Sequence, residues 1–330
     1  MSDSGNRRYR TPESARRAVT DKLRAEAASG PWTLMDLQRQ YAYDQLIERL
    51  YRIDDKWVVK GATALLARRI SVRHTIDIDL YRTGAINEVE RLLREASTLD
   101  IGDWMHFEVG ASVRIQASGA QGSLFTATGN QALTRDFTAP QLPMNKPQGV
   151  RTRIRSFIGS KAWATFQAGL VADGVLMSAE PDVVLPLTSV NIGNQMRTEW
   201  KAYPLVDHIA DKICAILERH GGVSSTRYKD LVDLVAIIQR SEVLAKPQII
   251  ALSKEAERRD LALPREFDVP DHELWRIGYQ AESRRTVGLS ASRLDEALAL
   301  VSPFIDPLLV GTATGRWEPR ALSWFSEGIP

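Results

Sequence analysis

Two carboxylates separated by a single residue mark the stretch Ile76-Asp77-Ile78-Asp79-Leu80. In a β-strand the two aspartates would project from one face, and the three apolar side chains would project from the other. Their backbones would lie about 7 Å apart, which lets both carboxylates reach one divalent cation. Mg²⁺ favours one or two protein carboxylates, with waters and substrate phosphates as its remaining ligands. The pattern predicts a metal and phosphate site, although the same aspartates would also fit the solvent face of an amphipathic strand.

A glycine turn and a short helix precede that strand. Residues 57–59 predict a strand, Gly61 a turn and residues 63–69 a short helix. Gly61 allows the backbone to approach a ligand closely, and the N-terminus of a helix presents free N–H groups to an anion. Gly61, Ala62 and Thr63 are therefore predicted to bind the phosphates of a nucleotide, next to the metal site.

The elements that must hold these residues fall into two parts of different character. Hydrophobic periodicity predicts helices over residues 12–29, 34–50 and 86–96, and strands over residues 105–109, 151–157 and 164–171. The later pattern is helical, over residues 206–217, 231–238, 247–258, 271–282 and 291–303. Residues 117–150, rich in Gly, Thr, Gln and Pro, predict loops together with strands whose bounds the pattern does not define. We expect an α+β fold with two lobes: N-terminal helices and a mixed sheet over residues 1–186, and helices over residues 187–330 that complete the active site.

The composition limits the class of protein. Of 330 residues, 44% are hydrophobic and 25% are charged, so the chain can bury a core and remain soluble. The sequence has no run of about eighteen apolar residues, and its polar start lacks the apolar centre of a signal peptide, so no membrane span or secretion is expected. Cys214 is the single cysteine, which fits a reducing cytoplasm. A net charge of +2 does not by itself demand a nucleic-acid partner.

Six arginines are candidates for contact with RNA: Arg68, Arg69, Arg73, Arg151, Arg153 and Arg155. The first three lie between the glycine turn and the aspartate strand, where they could grip a triphosphate or the end of an RNA. The last three alternate along a predicted strand, so their guanidinium groups would share one face and could follow an RNA backbone. An edge strand protected by charge would give the same pattern.

Three segments resemble a known family. The stretch KGATALLARRISVRHTIDIDL resembles the signature of the AbiEii/MenT nucleotidyltransferase toxins, which belong to the DNA polymerase β-like nucleotidyltransferase superfamily. YPLVDHIADKICAIL, from residue 203, resembles the lysine-bearing helix of that family, and TRYKDLVDL, from residue 226, resembles its Arg-x-Lys-Asp helix start. The N-terminal helices and the C-terminal stretch GRWEPRALSW are also similar, so the resemblance covers most of the chain.

The resemblance implies a role for each matching residue. The two aspartates of the strand would bind Mg²⁺ or Mn²⁺, and Lys212 would contact nucleotide phosphate or the developing charge. Asp230 would complete the catalytic set, while Arg227 and Lys229 would hold the triphosphate or RNA. Without the resemblance, Lys212 would fit a solvated helix residue, and Asp230 would fit a carboxylate that favours the helix dipole.

Two positions depart from the family pattern, and the first is Ala62, where the family usually has Gly or Ser. Where relatives often carry a carboxylate after Phe-Gln, this chain has Ala168 and Gly169. A third metal ligand would then be either absent or supplied by Asp173 or Glu108, and Asp230 could take over the deprotonation of the acceptor hydroxyl.

The implied function is a Mg²⁺-dependent nucleotidyltransferase toxin of an AbiE-like toxin–antitoxin system. It would act in the cytoplasm, transfer NMP from an NTP to the 3′ end of a tRNA and so block translation. Its partners would be tRNA, NTP and a cognate antitoxin. The alternatives are NMP transfer to a protein or small molecule, and a non-catalytic homologue that binds RNA or a partner.

Overall fold

The helices of the computed structural model follow the predicted periodicity closely. The structure describes residues 9–70, 74–116, 148–172, 174–175, 177–188, 190, 199–220, 222–286 and 288–326. The helices are α1 (Pro12–Ser29), α2 (Leu34–Ile53), α3 (Gly61–Ala67), α4 (Ile86–Thr98), α5 (Leu205–Leu217), α6 (Tyr228–Ile238), α7 (Ala245–Arg258), α8 (His272–Ser283) and α9 (Leu294–Leu309). None of these helices has the length and apolar character needed to cross a membrane.

The strands are concentrated in the first two thirds of the chain. They are β1 (Val58–Lys60), β2 (Asp77–Arg82), β3 (Met105–Gln116), β4 (Gln148–Ile158), β5 (Lys161–Ala172), β6 (Asp182–Val184), β7 (Trp200–Ala202), β8 (Arg219–His220), β9 (Val223–Ser224), β10 (Val243–Leu244), β11 (Arg316–Glu318) and β12 (Ser323–Phe325). Within the predicted loop region, residues 148–150 belong to β4, and residues 117–147 lie outside the described residues.

Seven of the described strands form one mixed sheet in the order β3-β4-β5-β2-β1-β7-β6. Strand β2 lies near its centre, antiparallel to β1 and parallel to β5. The predicted α+β class, with a mixed sheet and a helical second half, is confirmed. The division at residue 186 stays a prediction, and the sheet includes β7, which follows that position and pairs with β1.

Two hydrophobic clusters support the cleft between sheet and helices. The first joins one face of the sheet to α1, α2 and α4, and it includes Ile78 and Leu80 of β2. The second contains residues of all five helices from α5 through α9, and it also includes Leu65 of α3. Because α3 contributes to the second cluster and directly follows β1, it anchors the sheet to the helical part of the chain.

Several local predictions need correction. Ile76 precedes β2 and is 55% exposed, so it does not join Ile78 and Leu80 in the core. Helix α3 begins at Gly61 itself instead of at residue 63. Helix α5 ends at Leu217, as predicted, and the short β8–β9 hairpin follows it. Helix α9 continues through two prolines to Leu309, because buried side chains on one face hold it against the second cluster.

A small sheet of β10, β11 and β12 was not predicted. Its strands are two or three residues long, too short for a period of two to be visible in the sequence. Trp317 of β11 is fully buried, and its indole N–H donates to the carbonyl oxygen of Ile238 at the end of α6. The sheet therefore closes one end of the second cluster.

Candidate active site

A cavity of about 560 Å³ lies where the sheet meets α5, α6 and α8. Its size is typical of sites that bind small molecules. Of the site residues predicted from the sequence, those that line it are Gly61, Ala62, Asp77, Asp79, Arg151, Lys212, Arg227, Lys229 and Asp230. The structure thus brings together residues that are far apart in the chain.

The two aspartates of β2 both face this cavity. Ile78, between them, is fully buried on the opposite face of the strand, as the alternation predicts. The hydroxyl of Thr75 donates to Asp77 Oδ1 over 2.5 Å. Within the described part of the chain, the Asp79 carboxylate has no hydrogen bond or ion pair. None of the described residues therefore compensates its charge by direct contact.

Two glycines enclose the carboxylate of Asp79. A Cβ atom at Gly61 would lie 2.5 Å from Oδ2, and a Cβ atom at Gly169 would lie 2.7 Å from Oδ1. Gly61 also has a positive φ of 62°, a conformation that favours glycine. Both positions need glycine because any larger residue would displace the carboxylate.

The environment of Asp79 disfavours its charged form. Burial, followed by the nearby Asp77 carboxylate, raises the pKa of Asp79 to about 7, and this occurs against the opposing effect of Lys60, Arg151 and Arg227. Two carboxylates that share a cavity, and that form no ion pair with a described residue, fit the ligand preference of a divalent cation. Asp77 and Asp79 are therefore the residues that could hold one.

Lys60 is a buried cation beside this pair that the sequence interpretation left without a role. It lies opposite Asp79 in the β1–β2 ladder, and it is only 1% exposed. Its ammonium lies 3.9 Å from the centroid of the Tyr203 ring and has no hydrogen-bond partner among the described residues. Burial lowers the pKa of Lys60, while Asp211 and then Asp79 oppose that shift. The sequence did contain a signal for this residue, namely a lysine at the end of a predicted apolar strand, directly before Gly61.

The helical side of the cavity carries a buried ion-pair cluster. Lys212 Nζ donates to Asp230 Oδ1 over 2.9 Å and to Asp233 Oδ2 over 2.7 Å. Arg227 Nε donates to Asp230 Oδ2 over 2.5 Å. Burial alone would raise the pKa of Asp230, but Arg227 and Lys212 outweigh it and lower that pKa.

This burial corrects one expectation about Lys212. The interpretation of Lys212 as a solvated helix residue is wrong, since its side chain is 3% exposed and holds two carboxylates of α6. Asp230 is buried as well. Removal of a partner from such a cluster leaves an uncompensated buried charge.

The structure separates the remaining predicted residues from the cavity. Thr63 is buried in α3 and does not line the cavity. Arg68 donates to Asp182 and to the carbonyl oxygen of Tyr203, and Arg69 is exposed. Arg73 lies outside the described residues.

The three arginines of β4 do not share one environment. Arg151 lines the cavity, whereas Arg153 is exposed, and Arg155 forms an ion pair with Glu108 of β3. Glu108 is therefore not brought to the aspartates as a third carboxylate. Asp173, the other candidate for that role, lies outside the described residues. Within the described ranges, no group of three His, Cys, Asp or Glu residues is arranged to hold a metal ion.

Other residues of the cavity wall had no signal in the sequence. Glu282, Arg285 and Thr286 line it from the end of α8, far along the chain and outside any motif. His74 also lines it, and burial lowers the pKa of His74 to about 4, so the ring is neutral at pH 7. Its Nδ1 donates to the Thr75 carbonyl oxygen over 2.8 Å.

Comparison with known proteins gives a family match over most of the chain. A family model described as the AbiEii nucleotidyl transferase toxin of a type IV toxin–antitoxin system matches residues 46–300. Among solved structures, the nucleotidyltransferase toxin MenT4 from Mycobacterium tuberculosis H37Rv is similar, with 13% identity and a TM-score of 0.46 over 89% of this chain and 98% of that chain. JHP933 from Helicobacter pylori has 13% identity and a TM-score of 0.43 over 84% of this chain and 94% of that chain. The sequence has no significant similarity to a curated protein.

Proposed function

The chain belongs to the AbiEii family of nucleotidyl transferase toxins, and we propose that it transfers NMP from an NTP to the 3′ end of a tRNA in a reaction that depends on Mg²⁺. The family makes the chain a nucleotidyltransferase of a toxin–antitoxin system. The acceptor, the metal and the site residues are our proposal. Transfer to tRNA would block translation in the cytoplasm, and a cognate antitoxin would restrain it.

The observation that carries the proposal is the convergence of two chemistries in one cavity. Asp77 and Asp79 come from the sheet, and Lys212, Arg227 and Lys229 come from the helices, yet all five line the same space. Carboxylates alone would repel a triphosphate, and cations alone would not hold a metal. A metal-bound nucleotide needs both, so the combination favours nucleotide transfer over RNA binding without catalysis.

Asp77 and Asp79 would hold the divalent cation. When bound there, such an ion neutralises phosphate charge and favours attack by a hydroxyl group. The two glycines beside Asp79 leave space for its carboxylate, because a larger residue at either position would displace it. Gly61 and Ala62 at the start of α3, and Lys229 near the start of α6, line the same cavity, and the N-terminus of a helix suits phosphate oxygens.

The transfer step is a displacement at the α-phosphorus of the NTP. The oxygen of the acceptor hydroxyl forms the new bond to phosphorus, and its proton is released to water. The bond between that phosphorus and the oxygen of the β-phosphate breaks, and pyrophosphate leaves with the electron pair. Arg227 and Lys229 would hold the triphosphate in line for this attack, since positioning supplies much of the rate in phosphoryl transfer.

Asp230 is better suited to positioning than to proton removal. Its pKa is lowered, and its two oxygens already accept from Lys212 and Arg227. A carboxylate held ionised by two cations is a weak base. We therefore propose that Asp230 and Asp233 orient the Lys212 ammonium at the cavity wall, where it contacts phosphate.

A transfer assay tests the acceptor directly. Purified protein would be incubated with each of the four α-labelled NTPs and Mg²⁺, together with total tRNA or with an RNA-free protein fraction. We expect label in tRNA, lost after removal of the 3′ terminal nucleotides, and none in the protein fraction. Label in the protein fraction alone would contradict the tRNA acceptor while it retains the transferase.

A further inference from the structure

Asp79, Gly169 and Arg151 lie side by side on three neighbouring strands. In the parallel β2–β5 pair Asp79 is the partner of Gly169, and in the antiparallel β5–β4 pair Gly169 is the partner of Arg151. Paired residues of a sheet project from the same face. Because Gly169 has no side chain, nothing on that face stands between the carboxylate of Asp79 and the side chain of Arg151.

The carboxylate of Asp79 leaves no space for a side chain at position 169. A Cβ atom there would lie 2.7 Å from Asp79 Oδ1, so neither a third carboxylate nor a smaller side chain fits without moving Asp79. Across Gly169, the next side chain on this face of the sheet is therefore that of Arg151, a cation. Arg151 and Asp79 also line the same cavity.

Arg151 differs from the two arginines that follow it on the same face of β4. It is half-buried and lines the cavity together with both aspartates. Arg153 is exposed beyond the cavity, and Arg155 is engaged with Glu108. The side chain of Arg151 therefore lies at the cavity wall, on the same face of the sheet as Asp79. An RNA backbone would instead run along the exposed positions of β4.

We propose that Arg151 is a nucleotide-binding residue of the transferase, which donates to the phosphate oxygens of the NTP held beside Asp79. The inference rests on the proposed function and assigns Arg151 to the nucleotide rather than to the RNA track. The planar guanidinium can donate two parallel N–H bonds to one phosphate, which a lysine cannot match. Arg151 would then oppose the charge of the phosphates from the side of the sheet, as Lys212 does from the side of the helices.

Equilibrium binding separates the two possible sources of phosphate. The α,β-methylene analogues of the NTPs cannot be cleaved at the transfer position, so their affinity can be measured by calorimetry with Mg²⁺ and without turnover. Purified tRNA is the second ligand. The variants are Arg151→Gln, Arg151→Lys and the matched control Arg153→Gln, which removes an exposed guanidinium from the same face of the same strand.

Arg151→Gln should raise the Kd of the bound analogue about tenfold or more, because a hydrogen bond to a charged group is removed. Arg151→Lys should fall between that variant and the wild type, since it keeps the charge but not the planar pair of donors. Arg153→Gln should bind the analogue as the wild type does. The tRNA affinity of Arg151→Gln should remain near that of the wild type.

The outcomes distinguish this inference from the proposed function. If the wild type binds an analogue and Arg151→Gln binds it equally well, the inference alone fails, and a loss of tRNA affinity in that variant would return Arg151 to the RNA track. If the wild type binds none of the analogues, the nucleotide site itself fails. Melting curves show whether the variants fold. If Arg151→Gln does not fold, the Kd of the analogue for Arg151→Lys, which keeps the charge, is compared with that of the wild type. A higher Kd supports the inference, and an equal Kd contradicts it.

Discussion

The sheet side and the helical side of the cavity differ in how their charged side chains are paired. On the sheet side, Asp77 and Asp79 lie close together, and among the described residues neither forms an ion pair. On the helical side, Lys212 is held by both Asp230 and Asp233. One side keeps like charges together without a direct partner, and the other joins opposite charges in a buried cluster.

This difference indicates different uses for the two sides. Like charges in a cavity destabilise the folded protein, and they are retained where a ligand neutralises them. A buried cluster of opposite charges is complete without a ligand, and its disruption leaves charges unpaired in the protein interior. We therefore expect substitutions on the sheet side to change chemistry and those on the helical side to change stability as well.

The largest expected effect lies on the sheet side. Asp77→Asn and Asp79→Asn should each reduce nucleotide transfer on the order of 100-fold or more, because each removes a charged metal ligand and keeps the shape of the side chain. The melting temperature should be unchanged or higher, since the repulsion between the two carboxylates is removed. Transfer rate and thermal melting, measured on the same preparations, check both expectations. Full activity in both variants would refute the metal assignment.

The next effect sharpens the comparison from the helical side. Lys212→Met should lower the free energy of unfolding by about 3–5 kcal/mol, because Asp230 and Asp233 are left buried without their shared cation. Denaturant unfolding monitored by circular dichroism measures this decrease. The double variant Lys212→Met/Asp233→Asn should recover part of it, since it removes one of the two carboxylates that lost the lysine. If Lys212→Met melts like the wild type, the cluster does not support the fold.

The smallest expected effect concerns the outer part of β4. Arg153→Gln and Arg155→Gln should weaken tRNA binding modestly, and each should reduce the slope of affinity against salt concentration by about one if its guanidinium neutralises one phosphate. The affinity for the NTP analogues should not change. Binding titrations at several salt concentrations measure the slope. An unchanged slope would favour the interpretation of these arginines as protection of the strand.

The sequence predicted the residues of the site better than their environments. The alternation around Ile78 placed Asp77 and Asp79 on one face, and the resemblance to the AbiEii family placed Lys212 and Asp230 in the same site, as the shared cavity shows. The burial of Lys212 could not be predicted, because it depends on how α5 packs against α6.

Long-range packing also explains what the sequence did not reveal about the cavity wall. Arg151, Arg153 and Arg155 are equivalent in spacing, and only the position of the helices relative to β4 places the first of them in the cavity. Arg285 belongs to no motif and reaches the wall because α8 packs on α6, where Gly278 leaves room for the Tyr228 ring. Local patterns do not contain such information.

The position of the transferred label tests the central claim most directly. Wild-type protein, Asp79→Asn and Arg153→Gln would be incubated with tRNA, Mg²⁺ and an NTP labelled at either the α- or the γ-phosphate. The account predicts that the wild type and Arg153→Gln transfer the α-label and not the γ-label to tRNA, and that Asp79→Asn transfers neither. Transfer of the γ-label, or α-label transfer by Asp79→Asn at the wild-type rate, would contradict a nucleotidyltransferase site built on the aspartates of β2.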